Sequence, residues 1–180
     1  MNKIARRTGG GLLATAAIIA MASPSAYADS WQTFDTDNIG RSVDSGRGYT
    51  TGYFRWQKLV DEGPNLQEDY RADFDVRLNV AGAPNSCAWL RIITYEKGTA
   101  TGAEVSLSKR FPSAGDTPYG YYGICGGADG KGYRNISGSD ELWSGMAGHK
   151  FVRADIRVCY TRSYVPPGDN CYAFTIHPGD

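Results

Sequence analysis

Apolar residues recur at every second position over much of this chain, the period of a strand packed on one face. Tyr70 to Val80 shows it most cleanly. Tyr70, Ala72, Phe74, Val76, Leu78 and Val80 share one face, and Arg71, Asp73, Asp75, Arg77 and Asn79 share the other. Phe151 to Arg162 repeats it, with Val152, Ala154, Ile156, Val158 and Tyr160 opposite Arg153, Asp155, Arg157 and Cys159. Cys171 to His177 sets Tyr172, Phe174 and Ile176 against Cys171, Ala173, Thr175 and His177. Thr50 to Val60 is rich in aromatic and β-branched residues. Cys87 to Glu96 is apolar with little alternation, which predicts a central strand covered on both faces. Ala103 to Phe111 and Tyr119 to Cys125 complete the set.

Turn-forming clusters separate these runs: Asp61-Glu62-Gly63-Pro64, Gly82-Ala83-Pro84-Asn85, Lys97-Gly98-Thr99 and Gly126-Gly127-Ala128-Asp129-Gly130. No amphipathic helix of three turns follows residue 28. The pattern predicts an all-β chain, a single-domain antiparallel β-sandwich with two disulfides over residues 49–180. A β-barrel is the competing architecture. Residues 29–48 are polar but carry Trp31, Phe34, Ile39 and Val43, and read either as an N-terminal arm or as an edge strand.

The four cysteines sharpen this picture. Folded as an antiparallel hairpin with Cys159 opposite Cys171, the last two strands place Val158 against Tyr172, Ile156 against Phe174 and Ala154 against Ile176. One register satisfies both the apolar face and a disulfide, and a slip of one residue defeats both. Cys159–Cys171 is therefore the predicted pair, and Cys87–Cys125 follows by elimination. Closing the shorter loop is worth about 3 kcal/mol in the chain-entropy picture. Metal ligation is disfavoured: no Cys-x-x-Cys occurs, and the two histidines lack finger-like spacing.

Compartment comes from the first 28 residues, which read as a signal peptide. Lys3, Arg6 and Arg7 form a basic start, Gly11 to Met21 an apolar stretch, and Ala26-Tyr27-Ala28 a cleavage site. The apolar stretch is too short for a permanent anchor. Ordinary secretion is favoured over twin-arginine export, because Thr8-Gly9-Gly10 follows the arginine pair. This segment holds three of the 19 basic residues and none of the 19 acidic ones, which leaves 16 against 19 and a net charge of −3. A mildly acidic secreted domain has no electrostatic footprint for nucleic acid or anionic membrane, and both are excluded as partners.

Catalytic constellations are poorly represented. His149 and His177 are the two histidines, no Gly-x-Ser-x-Gly occurs, and Ser139 and Ser144 merely lie near Asp140 and Glu141. Asp73 and Asp75, two apart on one strand face, have the spacing of a carboxylate pair. With Arg71 and Arg77 beside them they read as a charge-balanced surface ladder. Asp35-Thr36-Asp37-Asn38 and Asp129-Gly130-Lys131-Gly132 are oxygen-rich turns that complete no calcium loop. Neither an enzyme, nor a cofactor, nor a metal is expected.

Binding features are more numerous. Tyr119-Gly120-Tyr121-Tyr122-Gly123 lies beside a cysteine, and Trp31, Trp56, Trp89 and Trp143 are spread along the chain. Trp89, between Cys87 and a run of Leu and Ile, reads as structural. Trp31, Tyr121 and Tyr164 are expected near the surface, where aromatic faces take sugars or protein partners. Ser163-Tyr164-Val165-Pro166-Pro167-Gly168-Asp169 forms a hairpin tip stiffened by prolines and clamped at its base by Cys159–Cys171. Preorganised loops lose less entropy on binding. Trp31, Phe34, Arg162, Tyr164 and Val165 are the candidate binding residues.

Arg157-Val158-Cys159-Tyr160, Asp169-Asn170-Cys171 and, more loosely, Cys87-Ala88-Trp89-Leu90-Arg91 resemble blocks of small secreted β proteins of filamentous actinobacteria. Within that group the chain is similar to the adaptor subunits of umbrella toxin particles, which bridge a lectin-like, trypsin-fold subunit and an elongated toxin-bearing one. These blocks cover a minority of the mature chain and are generic to the group. The resemblance implies a non-catalytic connector, with the segment from Asp29 as a docking element. The expected function is thus a secreted protein-binding module whose partner is another secreted protein. The alternatives are a carbohydrate- or cell-wall-binding module and a protease inhibitor acting through the 162–169 loop.

Overall fold

The computed structural model describes residues 30–60, 69–98, 105–113, 115–117, 119–142, 149–164 and 167–179. The predicted leader over 1–28, Asp29, the predicted turn at 61–64, Thr99, Ala103, Trp143, Ser144, Val165 and Pro166 lie outside them. Among the described residues ten strands run in chain order: β1 (Ser30–Asn38), β2 (Ser42–Val43), β3 (Gly48–Val60), β4 (Tyr70–Ala81), β5 (Cys87–Lys97), β6 (Ser106–Phe111), β7 (Tyr122–Cys125), β8 (Lys131–Leu142), β9 (Lys150–Thr161) and β10 (Cys171–Ile176). A single 3-10 turn at Asp44–Gly46 interrupts them, and no α-helix occurs among the described residues.

Two antiparallel sheets face each other. The first has the order β1-β3-β4-β8, with β2 beside β3; the second has the order β10-β9-β5-β6, with β7 beside β5. Their facing sides supply the core. Phe54, Trp56, Phe74, Val76 and Leu78 come from the first sheet, and Leu90, Ile92, Ile156, Val158 and Tyr160 from the second. The alternation in β4 therefore buries Ala72 to Val80 on one side and leaves its charged residues outside. Those charges pair across strands: Arg55 of β3 with Asp73, and Arg71 with Glu141 of β8 at 3.6 Å.

The terminal hairpin has the predicted register, with Cys171 opposite Cys159, Tyr172 opposite Val158, Phe174 opposite Ile156 and Ile176 opposite Ala154. Both predicted disulfides, Cys87–Cys125 and Cys159–Cys171, are formed. They flank Trp89 on the outer side of the second sheet, where Cys87, Trp89, Tyr121 and Cys159 make a small separate apolar cluster. Trp89 Nε1 donates to Thr161 Oγ1 at 2.9 Å, which fixes the indole between β5 and β9.

Three features depart from simple alternation. Strand β8 carries little apolar signal, because its inward positions are Gly132, Arg134, Ile136, Gly138, Asp140 and Leu142. Asp140 is only 7% exposed, and its carboxylate accepts a 2.6 Å hydrogen bond from Thr94 Oγ1. Tyr121, expected at the surface, is 7% exposed: Arg91 lies 4.8 Å over its ring, and Tyr119 takes the outer position. Val152, expected in the core, is replaced there by Phe151, because β9 carries an extra residue at that point.

Candidate functional site

One end of the sandwich is shaped by two irregularities that converge. In β1, Thr33 stands opposite Gln57 and Asp35 opposite Trp56, so Phe34 is an extra residue without a partner. Such a bulge re-aims the side chain it carries, and Phe34 is 52% exposed. The inward positions that follow are Asp35 and Asp37. Asp37 Oδ2 accepts from Trp56 Nε1 at 2.9 Å, and Asp35 Oδ2 accepts from the Gly179 backbone N–H at 2.6 Å. The C-terminal segment is thereby fastened across the bulge.

Facing it, β9 also gains a residue: Phe151 stands opposite Glu96 and Arg153 opposite Tyr95, with Val152 between them. The shift turns Phe151 into the core, 5.9 Å from the Trp56 ring. Val152 is left at the rim, where its carbonyl lies 3.1 Å from His177 Nδ1. A carbonyl only accepts, so Nδ1 is the donor in this contact.

Between these features lies a cleft of about 390 Å³, within the range of ligand sites in general. Phe34, Trp56, Tyr70 and Phe151 give it an apolar lining, and Arg71, Lys150 and His177 give it cationic or protonatable groups. A second hollow of about 320 Å³, bounded by Gln32, Thr33 and Lys58, shares Phe34 and Tyr70 with it. Phe34 thus stands at the junction of the two. Gln57, on the cleft wall, donates from Nε2 to Thr33 Oγ1 at 3.2 Å and leaves Oε1 buried without a partner.

The other candidate residues lie elsewhere. Trp31 is half-buried, with the Arg71 guanidinium 5.8 Å over its ring. Arg162 and Tyr164 follow the far end of β9. Ten residues of extended chain separate Val152 from Arg162, about 33 Å at the usual rise. Tyr164 is 65% exposed. Its loop is tied down by Arg157 Nη2 to the Gly168 carbonyl (3.3 Å), Thr161 Oγ1 to the Ser163 carbonyl (2.8 Å) and the Tyr160 N–H to the Asn170 carbonyl (3.0 Å). Arg162 and Arg47 border a shallow hollow of about 540 Å³ at this end. Val165 lies outside the described residues.

The candidate residues therefore divide between opposite ends rather than forming one site. Lys150, Phe151, Val152 and His177 join Phe34 although the sequence pattern named none of them as a binding residue. The apolar doublet Phe151-Val152, which breaks strict alternation, is the signal that marks the second bulge.

Across both outer faces, guanidinium groups stack on aromatic rings. Arg55 lies 4.7 Å over Tyr53, Arg77 3.9 Å over Tyr133 and Arg153 4.2 Å over Tyr95. His149 Nδ1 lies 3.3 Å from Glu96 Oε2, a carboxylate partner where His177 has a backbone carbonyl. Burial pushes the Tyr122 phenol above its ordinary value; Arg134 pulls it down and Asp116 adds a smaller upward push. No group of three metal-ligating side chains occurs among the described residues. No described helix is long and apolar enough to cross a membrane.

Fold and bonding define a two-sheet β-sandwich braced by two disulfides, with a bulge-built cleft at one end and a clamped loop at the other. No family model, curated protein or solved structure matches the chain.

Proposed function

We propose that this chain is a secreted, non-catalytic module that binds other secreted proteins and serves as an adaptor in an extracellular complex. The observation that carries the reading is Phe34. A bulge on an edge strand holds a large apolar side chain half-exposed at the junction of two hollows, the arrangement of an anchor residue awaiting a partner. Disulfides of this kind persist in oxidising compartments, in keeping with the leader. The separation of Phe34 from the Tyr164 loop favours a connector, which must hold two partners at once. That matches the role implied by the resemblance to adaptor subunits of umbrella toxin particles.

A glycan module is less well supported, because Tyr53, Tyr95, Tyr133 and Trp31 each have one ring face under a guanidinium. The inhibitor reading keeps one favourable observation, the disulfide-clamped loop with Tyr164 exposed. Trypsin- and chymotrypsin-type proteases assayed with and without the protein test it directly.

Affinity capture of the mature protein from the producer's culture medium, followed by mass spectrometry, tests the main reading. A stoichiometric secreted partner is expected, with recovery reduced at least tenfold by Phe34→Ala. Retention on cell wall or polysaccharide with no protein partner would move the glycan module to first place.

A further inference from the structure

We infer that the Phe34 cleft receives an acidic, extended segment of the partner, with an apolar side chain inside and a carboxylate against Lys150, Arg71 and His177. The inference rests on the reading that this end of the sandwich docks a protein, and it names the chemistry of what docks.

Charge argues first. The cleft lining contains Lys150, Arg71 and His177 and no carboxylate among its described residues; Asp35 and Asp37 adjoin it but are engaged by the Gly179 amide and the Trp56 indole. The chain beyond the predicted leader carries more acidic than basic residues. A positive patch on a negative domain selects an anionic partner and repels basic ones. Arg71 Nε lies 3.6 Å from Glu141 Oε1 on the outer face, so part of its charge is balanced there. Lys150, exposed at the rim, is the cation most open to a ligand.

Shape argues second. The lining Trp56, Tyr70, Phe151 and Phe34 is aromatic, and the volume of about 390 Å³ has room for one large apolar side chain and its neighbours. A fully apolar ligand would leave the cationic rim unused, and a purely acidic one would leave the aromatic floor wet. A segment that alternates the two satisfies both.

Conformation argues third. Strand β1 is the terminal strand of its sheet, and edge strands recruit extended peptides through main-chain hydrogen bonds while adjacent pockets read side chains. The cleft and its neighbouring hollow adjoin the bulge in that strand, where an extended segment would present its residues in turn.

The test uses fluorescein-labelled octapeptides of one design: a central Phe flanked by Asp and Glu, the same peptide with Asn and Gln, and the same with Lys. Polarisation against the mature protein is expected to show saturable binding of the acidic peptide, at least tenfold weaker binding of the neutral one and none of the basic one. Lys150→Glu and Phe34→Ala should each weaken the acidic peptide tenfold or more, and Tyr164→Ala should leave it unchanged. Because Lys150 and Phe34 are exposed, circular dichroism should be unaltered in both variants.

Equal binding of the acidic and neutral peptides, no binding of any, or indifference to Lys150→Glu overturns the inference. Capture of the natural partner separates this failure from that of the docking reading. A partner lost with Phe34→Ala but kept with Lys150→Glu overturns the acidic segment alone, whereas a partner kept by both overturns the two together.

Discussion

Phe74 and Phe111 meet edge to face, 5.0 Å apart, above Gly138. A Cβ at Gly138 would lie 2.7 Å from Phe74 Cζ and 3.2 Å from Phe111 Cδ1. The ring pair therefore requires the smallest residue at an inward position of β8. Gly52, in mid-β3, has φ +134° and would place a Cβ 2.2 Å from the Asp75 carbonyl oxygen. Rings can tilt, whereas a paired backbone cannot move without breaking its ladder. Gly138→Ala is thus expected to cost about 1–3 kcal/mol, the usual range for overpacking, and Gly52→Ala more. Urea denaturation of both variants checks the order, and a reversal would show that β3 relaxes more readily than the core. Tyr122 gives a second residue-scale test. Its phenol titrates above 10.0, the ordinary value, because burial disfavours the phenolate. The unfolded chain therefore loses this proton first as pH rises, and stability is lost from about pH 10 upward through the folded value. Tyr122→Phe should flatten that alkaline fall relative to wild type, read from denaturation midpoints between pH 8 and 11. An unchanged slope would assign the fall to other groups.

At the scale of strands, legibility tracked how uniformly a strand buries one face. Strands β4 and β9 do so over most of their length; β10 buries only Ile176, with Tyr172 46% exposed, and there the paired cysteines left one register for the terminal hairpin. Strand β8 could not announce itself, since glycine makes room for the rings and Asp140 turns inward to Thr94. Strand β1 was ambiguous for a related reason: Asp35 and Asp37 occupy inward positions, compensated by the Gly179 amide and the Trp56 indole. Bulges defeat a strict period altogether. The extra residue in β9 exchanged the places of Phe151 and Val152, and the one in β1 produced the feature on which the functional reading depends. Deleting Phe34 would join Thr33 to Asp35 in continuous register with Gln57 and Trp56, keeping every other side chain on its present face. The deletion variant is expected to melt within a few degrees of wild type while losing partner capture as fully as Phe34→Ala does. A collapse of the melting temperature would mean instead that the bulge is needed to seat β1.

For the molecule as a whole, the decisive property is that the Phe34 cleft and the Tyr164 loop, the two proposed docking features among the described residues, cannot touch the same small ligand. The Phe34 cleft lies beside the start of β9 and the Tyr164 loop follows its end, with a rigid, disulfide-braced sheet between them. Residues this far apart and without shared contacts act additively. A connector must therefore show two separable losses. Phe34→Ala should abolish one partner and leave the other, and the pair Arg162→Ala with Tyr164→Ala should do the converse, each by tenfold or more in binding measured one partner at a time. Size-exclusion chromatography with both partners present should give a ternary complex with wild type and only a binary one with either variant. Replacing Cys159 and Cys171 by Ser should behave like the loop variant, because it frees the base of the 162–170 loop while the cleft keeps its own hydrogen bonds through Val152 and Asp35. Were both sets of substitutions to weaken one and the same partner, that partner would have to span the length of the sandwich. The module would then be a one-sided receptor, and the adaptor reading would fall although the Phe34 cleft remained a binding site.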